Sequence, residues 1–290
     1  MDVGLLMLAG GAVAGMVGSL LGLGGGILIV PLLTLGFGLD LRSAVGVSLV
    51  CVIMTSSAAA GVYLERHVAN LRLGMSLELF TAIGALVGGS VAFLVDERLL
   101  AALFAAMLGY VAVSMIRAAV RDRGAGAGEP DDEDAPGGPE PDGSPGLGGI
   151  ASVGPGTAFL ASVAGPDYAV RNLGLGMVGA TGAGVVSALL GVGGGLVKVP
   201  LMHLGMGVPL RVATATSNLM MGITAAASAV IYLLHGEIDP YVAGPTAIGI
   251  FLGATLGSRV AHRIGLGYLR LLFVVVLLYT ATQMLLRAVS

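Results

Sequence analysis

The sequence predicts an all-α integral membrane protein with about eight transmembrane helices, in two homologous four-helix repeats whose helices are broken at glycines. Three observations predict this fold class: the composition, the length of the apolar runs and an internal repeat. Of 290 residues, 56% are hydrophobic and only 11% are charged, against roughly 25% charged in ordinary soluble domains. This composition excludes a water-soluble globule. The runs are continuous, whereas a transmembrane β-barrel alternates apolar and polar residues.

The apolar runs divide the chain into two halves. A hydrocarbon core of about 30 Å takes about 20 helical residues to cross. Runs near this length or longer occupy residues 5–35, 43–64, 76–95 and 99–117, and then residues 173–204, 211–234, 241–262 and 268–287. We therefore assign an N-terminal transmembrane repeat to residues 1–117, a linker to 118–172 and a C-terminal transmembrane repeat to 173–290. A multi-pass protein of the cell membrane is expected.

The linker and the chain start are assigned from composition. Within the linker, residues 118–149 are rich in Gly and Pro and hold eight of the 17 acidic residues. The linker therefore cannot bury enough apolar surface to order itself and is expected to be largely disordered. Residues 1–21 lack the basic region of a cleavable signal and continue into a longer apolar run, so we interpret them as the first membrane helix.

The two halves match under one offset of 169 residues. The stretch from Gly15 to Ser48 aligns without gaps on the stretch from Gly184 to Ser217, with 18 of 34 positions identical. Internal repeats of this kind are typical of secondary transporters, whose substrate site forms near the membrane midplane between the repeats. The repeat therefore favours transport.

The direction of the second half depends on how the first run crosses the membrane. As one helix, residues 5–35 would be about 46 Å long, so a break is expected. We expect eight helices and leave the choice between parallel and inverted halves open. If each run crosses once, the halves are parallel. If this run folds back, or if residues 150–166 also cross, the halves are inverted instead.

A glycine triplet followed by proline interrupts the first run of each half. Gly weakens a helix and Pro removes a backbone donor, so each helix should break there. Unwound backbone at membrane depth is tolerated only in protein or beside a watery cavity, where its N–H groups favour an anion. Close helix packing is the alternative, and a nucleotide loop is disfavoured because no strand precedes the glycines. The candidate binding residues are Gly24, Gly25, Gly26, Gly193, Gly194 and Gly195.

Polar side chains begin the next helix of each half. Neutral donors there could hold an oxyanion without a large charge penalty, although hydrogen bonds between helices explain them equally well. These candidates are Ser48, Thr216, Ser217 and Asn218. Gly84 and Gly88, like Gly253 and Gly257, are spaced by four residues, which predicts helix packing.

Two ionisable residues fall inside predicted spans. Lys198 follows the second triplet and is interpreted as an anion partner or coupling group. The alternative is that its long side chain extends to a membrane interface and places the ammonium group there. Glu78 is the only carboxylate well within a span. A proton relay is one hypothesis for it, but its closeness to the predicted helix start favours compensation of the helix dipole. Arg42 and Arg211 are expected at helix ends.

The sequence contains no motif for metal binding or catalysis. The four histidines have no metal-ligand spacing, no HExxH motif occurs, and Cys51 stands alone. We expect no cofactor, no metal, no catalytic residue and no nucleic-acid partner. The oligomeric state is left open.

The repeat signatures resemble a known family. GLGGGILIVP with RSAVGVS, and GVGGGLVKVP with RVATATSNLMMGITAAAS, are similar to the doubled signature of the sulfite exporter TauE/SafE family, also called the four-toluenesulfonate uptake permeases. The resemblance implies a permease of seven or eight helices that moves sulfur-containing anions such as sulfite and sulfonates.

The sequence thus predicts a membrane permease, not an enzyme, that moves a small anion by alternating access. Coupling to an ion gradient, with a proton as the coupling ion, is expected because no nucleotide motif occurs. The alternatives are a passive anion channel, a membrane-embedded enzyme and an assembly protein.

Overall fold

The computed structural model describes residues 2–20, 26–65, 69–124, 170–260 and 266–289, and every regular element in these ranges is helical. The helices are α1 (Asp2–Leu20), α2 (Gly26–Pro31), α3 (Leu41–Glu65), α4 (Leu71–Ala92), α5 (Glu97–Gly124), α6 (Leu173–Leu190), α7 (Gly195–Pro200), α8 (Leu210–Leu234), α9 (Pro240–Val260) and α10 (Leu266–Val289).

The short helices α2 and α7 each end at a proline and pass into a π-helical turn, Leu32–Gly36 and Leu201–Gly205. Because proline lacks an N–H and crowds the preceding turn, the α-helical hydrogen-bond pattern cannot continue through it. The bounds of α2, of its π turn and of α3 recur 169 residues later in α7, its π turn and α8. The element order of the described halves therefore follows the sequence repeat.

The predicted break in the second half is confirmed. Helix α6 ends at Leu190 and α7 begins at Gly195, and between them Gly193 and Gly194 have φ angles of +77° and +76°. Glycine adopts this left-handed conformation without steric cost. In the first half, α1 ends at Leu20 and α2 begins at Gly26. Gly24 and Gly25 lie outside the described residues.

Each short helix folds back along the helix before it. A β-carbon added at Gly176 would lie 2.7 Å from Met206 Sδ, and one at Gly179 would lie 2.6 Å from Leu201 Cδ1. Later residues of α6 thus face earlier residues of the segment formed by α7 and its π turn, which runs antiparallel to α6. In the first half, Gly10 likewise packs against Leu32. We call each pair a re-entrant hairpin.

Helices α3 and α8, which correspond under the 169-residue offset, run antiparallel. Ser56, late in α3, donates a hydrogen bond to the carbonyl of Asn218, early in α8. Gly46, early in α3, lies against Tyr232, late in α8. Equivalent helices therefore point in opposite directions, which is the inverted one of the two arrangements that the sequence left open. The physical reason is that α2 and its π turn fold back beside α1 instead of continuing the same crossing.

The two halves interlock instead of packing as separate units. Helix α1 packs along α9, α4 packs along α6, and α3 lies against α8. At the first contact Gly253 meets Ala12, and at the second Gly84 meets Thr181, in each case with the glycine against backbone atoms. The prediction of helix packing at the four-residue glycine spacing is confirmed, and it joins opposite halves.

Five helices of the described part are long and apolar enough to span a membrane: Leu41–Ala60, Leu71–Ala92, Glu97–Arg117, Leu173–Leu190 and Leu210–Leu234. Eight spans, as predicted, are not confirmed: the described apolar parts of α1 and α10 are shorter, Val3–Ser19 and Phe273–Ala288, and α9 is not among the five. Helix α5 continues to Gly124, beyond the predicted end at residue 117. The chain is a multi-pass helical membrane protein.

Candidate functional site

The glycine breaks of the two halves meet at Ser48. Its hydroxyl lies 3.1 Å from the carbonyl oxygen of Gly26, at the start of α2, and 2.7 Å from that of Gly191, at the end of α6. One hydroxyl proton is shared between these two acceptors. Ser48 is fully buried, so this hydrogen bonding joins both re-entrant hairpins to α3. The crossing of the two breaks is thereby fixed in the interior.

The second break lies directly against helices α3 and α8. A β-carbon at Gly193 would lie 2.6 Å from the side chain of Val52, and one at Gly195 would lie 2.6 Å from Met221 Sδ. Side chains at these positions would push the break away from both helices. The glycines therefore serve close packing, which was the alternative considered from sequence, and they also bring the break next to polar side chains.

A buried ionic cluster lies one turn beyond the break. Lys198 Nζ lies 3.1 Å from Glu78 Oε2 and 2.5 Å from Thr224 Oγ1, and the Thr224 hydroxyl donates to Glu78 Oε1 at 2.6 Å. These three residues, which we call the Lys–Glu–Thr triad, come from α7, α4 and α8. Lys198 is 1% exposed and Glu78 4% exposed. The triad carries no net charge while both groups are ionised.

This geometry corrects two interpretations. Lys198 does not reach a membrane interface, because its ammonium group is buried among α4, α7 and α8. Glu78 does not compensate the dipole of α4: the helix begins at Leu71, so Glu78 is one full turn deeper than the sequence suggested. Its carboxylate instead neutralises Lys198.

Two buried hydroxyls beside this region have no hydrogen-bond partner within the described part of the chain, those of Ser187 and Ser217. Ser187 lies next to Gly194, and a β-carbon at Gly194 would lie 3.3 Å from Ser187 Cβ and 3.5 Å from Lys198 Cε. Ser217 precedes Met221 by one helical turn on α8, on the face that meets the break. Burying an unpaired hydroxyl costs about 1–3 kcal/mol. Such groups are therefore available to a ligand.

The remaining candidate residues, Thr216 and Asn218, have hydrogen bonds to elements outside this cluster. The hydroxyl of Thr216 accepts a hydrogen bond from the backbone N–H of Asn70, where α4 begins. The carbonyl of Asn218 accepts from Ser56 of α3. The hydrogen bond of the Thr216 side chain is thus a structural one between helices, the alternative considered from sequence, whereas that of Asn218 involves its backbone and not its side-chain amide. Gly26, Ser48, Gly193, Gly194, Gly195, Lys198 and Ser217 come together, whereas Thr216 is directed to another helix end.

Sequence reasoning missed Ser187 and Thr224 and misassigned Glu78. A carboxylate inside a span was a usable signal for Glu78, because an unpaired charge there is costly and demands a partner. Small hydroxyls in apolar helices gave no comparable signal for the other two, since such groups often bond their own helix. Among the described residues no group of three or more His, Cys, Asp or Glu side chains could hold a metal ion.

Apolar spans, re-entrant hairpins that cross in the interior and a buried ionic cluster define an integral membrane protein of the transporter class. Comparison with known proteins agrees. The chain belongs to the family described as "Sulfite exporter TauE/SafE", whose family model matches residues 7–284.

Two relatives carry names of the same kind. The chain is 24% identical over 294 residues to the "Probable membrane transporter protein YunE" of Bacillus subtilis (strain 168), covering 95% of this chain and 94% of that protein. It is 34% identical over 82 residues to "Sulfite exporter TauE/SafE family protein 6" of Arabidopsis thaliana, covering 28% of this chain and 19% of that protein. No solved structure matches the chain. These names indicate a membrane transporter and not an enzyme.

Proposed function

We propose that the chain is a permease that moves small sulfur-containing anions, inorganic or organic, across the cell membrane by alternating access. The observation that carries this proposal is the pair of buried hydroxyls of Ser187 and Ser217, without a partner in the described part of the chain, beside the second glycine break, with the buried Lys198 one turn beyond that break. A sulfite or sulfonate group has three oxygens that accept hydrogen bonds, and an ionic donor such as Lys strengthens them. The family description supports sulfur as the central atom.

The antiparallel course of α3 and α8 supports the transport mechanism. In transporters built from inverted repeats, one repeat rocks against the other around a fixed midplane site. Here the two breaks cross at Ser48, and the anion would lie between this crossing and the triad. In this proposal each half has one re-entrant hairpin, α1 with α2 or α6 with α7, which enters and leaves on the same side of the membrane, followed by three spans. Three crossings per half, an odd number, invert the second half relative to the first. An ion gradient drives the movement, with a proton as the coupling ion.

Anion binding by the purified full chain in detergent tests the site. Isotherms are measured with sulfite, methanesulfonate, sulfate, acetate and chloride. We expect sulfite and methanesulfonate to bind more tightly than acetate and chloride. The Ser187→Ala and Ser217→Ala variants each lose one hydrogen bond to a charged ligand, worth about 1.5–3 kcal/mol, which corresponds to roughly 10-fold to 150-fold weaker binding.

Ser228→Ala is the matched control for these variants. Ser228 is buried on α8 like Ser217, but its hydroxyl donates to the carbonyl of Thr224 on its own helix. Its removal should leave anion affinity unchanged. Equal affinity for all five anions, or unchanged methanesulfonate affinity in both Ser187→Ala and Ser217→Ala, would refute the proposed site.

A further inference from the structure

The Lys–Glu–Thr triad exists in only one half of the repeat. Under the 169-residue offset Lys198 corresponds to Ile29 and Glu78 to Ala247. Ile29 is fully buried and apolar, yet α2 folds back beside α1 much as α7 does beside α6. The re-entrant hairpin therefore forms without a buried ion pair. Since burying two charges gives little or no net stability, the pair requires a reason other than folding.

The threonine of the triad also differs between the two halves in what it contacts. Thr224 corresponds to Thr55, whose hydroxyl donates to the carbonyl of Val52 on its own helix at 3.0 Å. The threonine hydroxyl at this repeat position thus bonds its own helix in the first half. In the second half it bridges an ammonium group and a carboxylate. The second half therefore contributes to a buried ionic cluster that has no counterpart at the equivalent positions of the repeat.

Charge balance dictates what happens when an anion reaches Lys198. The pair is neutral, so a monovalent anion added beside an ionised Glu78 would leave one uncompensated negative charge in the interior. An uncompensated charge in a low-dielectric interior is costly, and buried groups avoid it by changing protonation. Compensation therefore requires either another cation or a proton.

No other cation faces this position within the described residues. His203, on the π turn after α7, is exposed and its ring Nδ1 lies against the Val208 carbonyl, and Arg42 at the start of α3 donates to the Val95 carbonyl. Helix α6, Leu173–Leu190, and helix α7 apart from Lys198 contain no charged side chain. The remaining base of α4, Arg72, and that of α8, Arg211, lie at the starts of their helices and are exposed. A proton on Glu78 is the compensation that remains.

We propose that Glu78 is the proton-carrying residue of this transporter and exchanges with the substrate anion for Lys198. In this exchange the ion pair between Lys198 and Glu78 opens, the anion pairs with Lys198, and Glu78 takes up one proton. The protonated carboxyl then has an O–H that donates to the Thr224 hydroxyl or to the anion. One proton and one monovalent anion enter together, and the net charge of the site stays zero.

This proposal rests on the proposed function and adds two consequences. Binding is stronger at low pH, because the bound state holds one more proton than the free state. A monovalent sulfonate is preferred over divalent sulfate, because sulfate would leave one negative charge uncompensated even with Glu78 protonated. Both consequences follow from the charge count at Lys198.

Proton counting on the purified full chain in weakly buffered detergent solution tests the exchange. Methanesulfonate is the probe, because it does not titrate near neutral pH and any proton taken up belongs to the protein. We expect uptake of about one proton per anion bound. Affinity should fall as pH rises, by up to about tenfold per pH unit. Glu78→Gln removes the carboxyl that takes up the proton and keeps the shape of the side chain. At pH 6, where an ammonium group holds its proton, this variant should bind the anion without proton uptake.

Glu237→Gln is the matched control carboxylate. Glu237 accepts a hydrogen bond from Ser43 near the end of α8, away from Lys198, so this variant should take up protons like the wild type. Anion binding by the wild type without proton uptake would overturn the exchange while keeping the proposed function. Proton uptake that persists in Glu78→Gln would also overturn it. Absence of binding of both methanesulfonate and sulfite would overturn the proposed function and the exchange together.

Discussion

Replacing Lys198 by methionine is expected to cost about 3–5 kcal/mol of stability. The substitution keeps an unbranched side chain but leaves the Glu78 carboxylate buried, with Thr224 as its remaining partner in the triad. A buried charge without its counter-ion pays the desolvation penalty and receives no Coulombic attraction in return. Thermal unfolding of the purified variant in detergent, followed by circular dichroism, measures the loss.

The double variant Lys198→Met with Glu78→Gln separates charge from packing. It removes both charges together, so its stability should return to within about 1 kcal/mol of the wild type or exceed it. Arg72→Met provides the control, because Arg72 lies on α4 with Glu78 but is exposed. Exposed charges contribute about 1 kcal/mol at most. A double variant as unstable as Lys198→Met would contradict the pairing of these two residues.

The contact between α4 and α6 gives the second large effect, through Gly184. A β-carbon at this position would clash with the carbonyl oxygen of Thr81 and would lie 2.8 Å from the backbone nitrogen of Ala85. Backbone atoms cannot move aside as a flexible side chain can, so Gly184→Ala must separate two helices from opposite halves. Overpacking of a well-packed interior costs about 1–3 kcal/mol, occasionally more.

Gly182→Ala is the control two residues away on the same helix. An added β-carbon there meets nothing within 4 Å, and alanine favours a helix over glycine by about 1 kcal/mol. We therefore expect Gly182→Ala to be as stable as the wild type or slightly more stable, and Gly184→Ala to unfold at a clearly lower temperature. Equal melting temperatures for the two variants would show that α4 and α6 do not approach at Gly184.

The class of the protein and the approximate bounds of most helices could be predicted from sequence because both follow from local properties. Continuous apolar runs identify membrane helices, and the triplet Gly193, Gly194, Gly195 with Pro200 disrupts helical hydrogen bonding wherever it occurs. The 169-residue offset likewise transfers element bounds from one half to the other. These signals are independent of which helices come together.

The direction and partners of the helices could not be predicted, because an alignment offset contains no information on direction. Gly84 and Gly253 indicated close packing, but their spacing did not identify Thr181 and Ala12 on helices of the opposite half. The partner of Glu78 was hidden for the same reason: Lys198 lies 120 positions later. Long-range pairing of this kind depends on the fold-back of α7, which a run of apolar residues does not specify.

Exchange of labelled methanesulfonate across liposomes tests the central claim, that the chain is an anion carrier with its site at the crossing of the two glycine breaks. The purified full chain is reconstituted into vesicles preloaded with unlabelled methanesulfonate. We predict saturable entry of label that is accelerated by the preload, competed by sulfite and reduced in Ser187→Ala but not in Ser228→Ala. Entry that rises linearly with concentration and ignores the preload would identify a passive channel and contradict the claim, as would the absence of any protein-dependent entry of either anion.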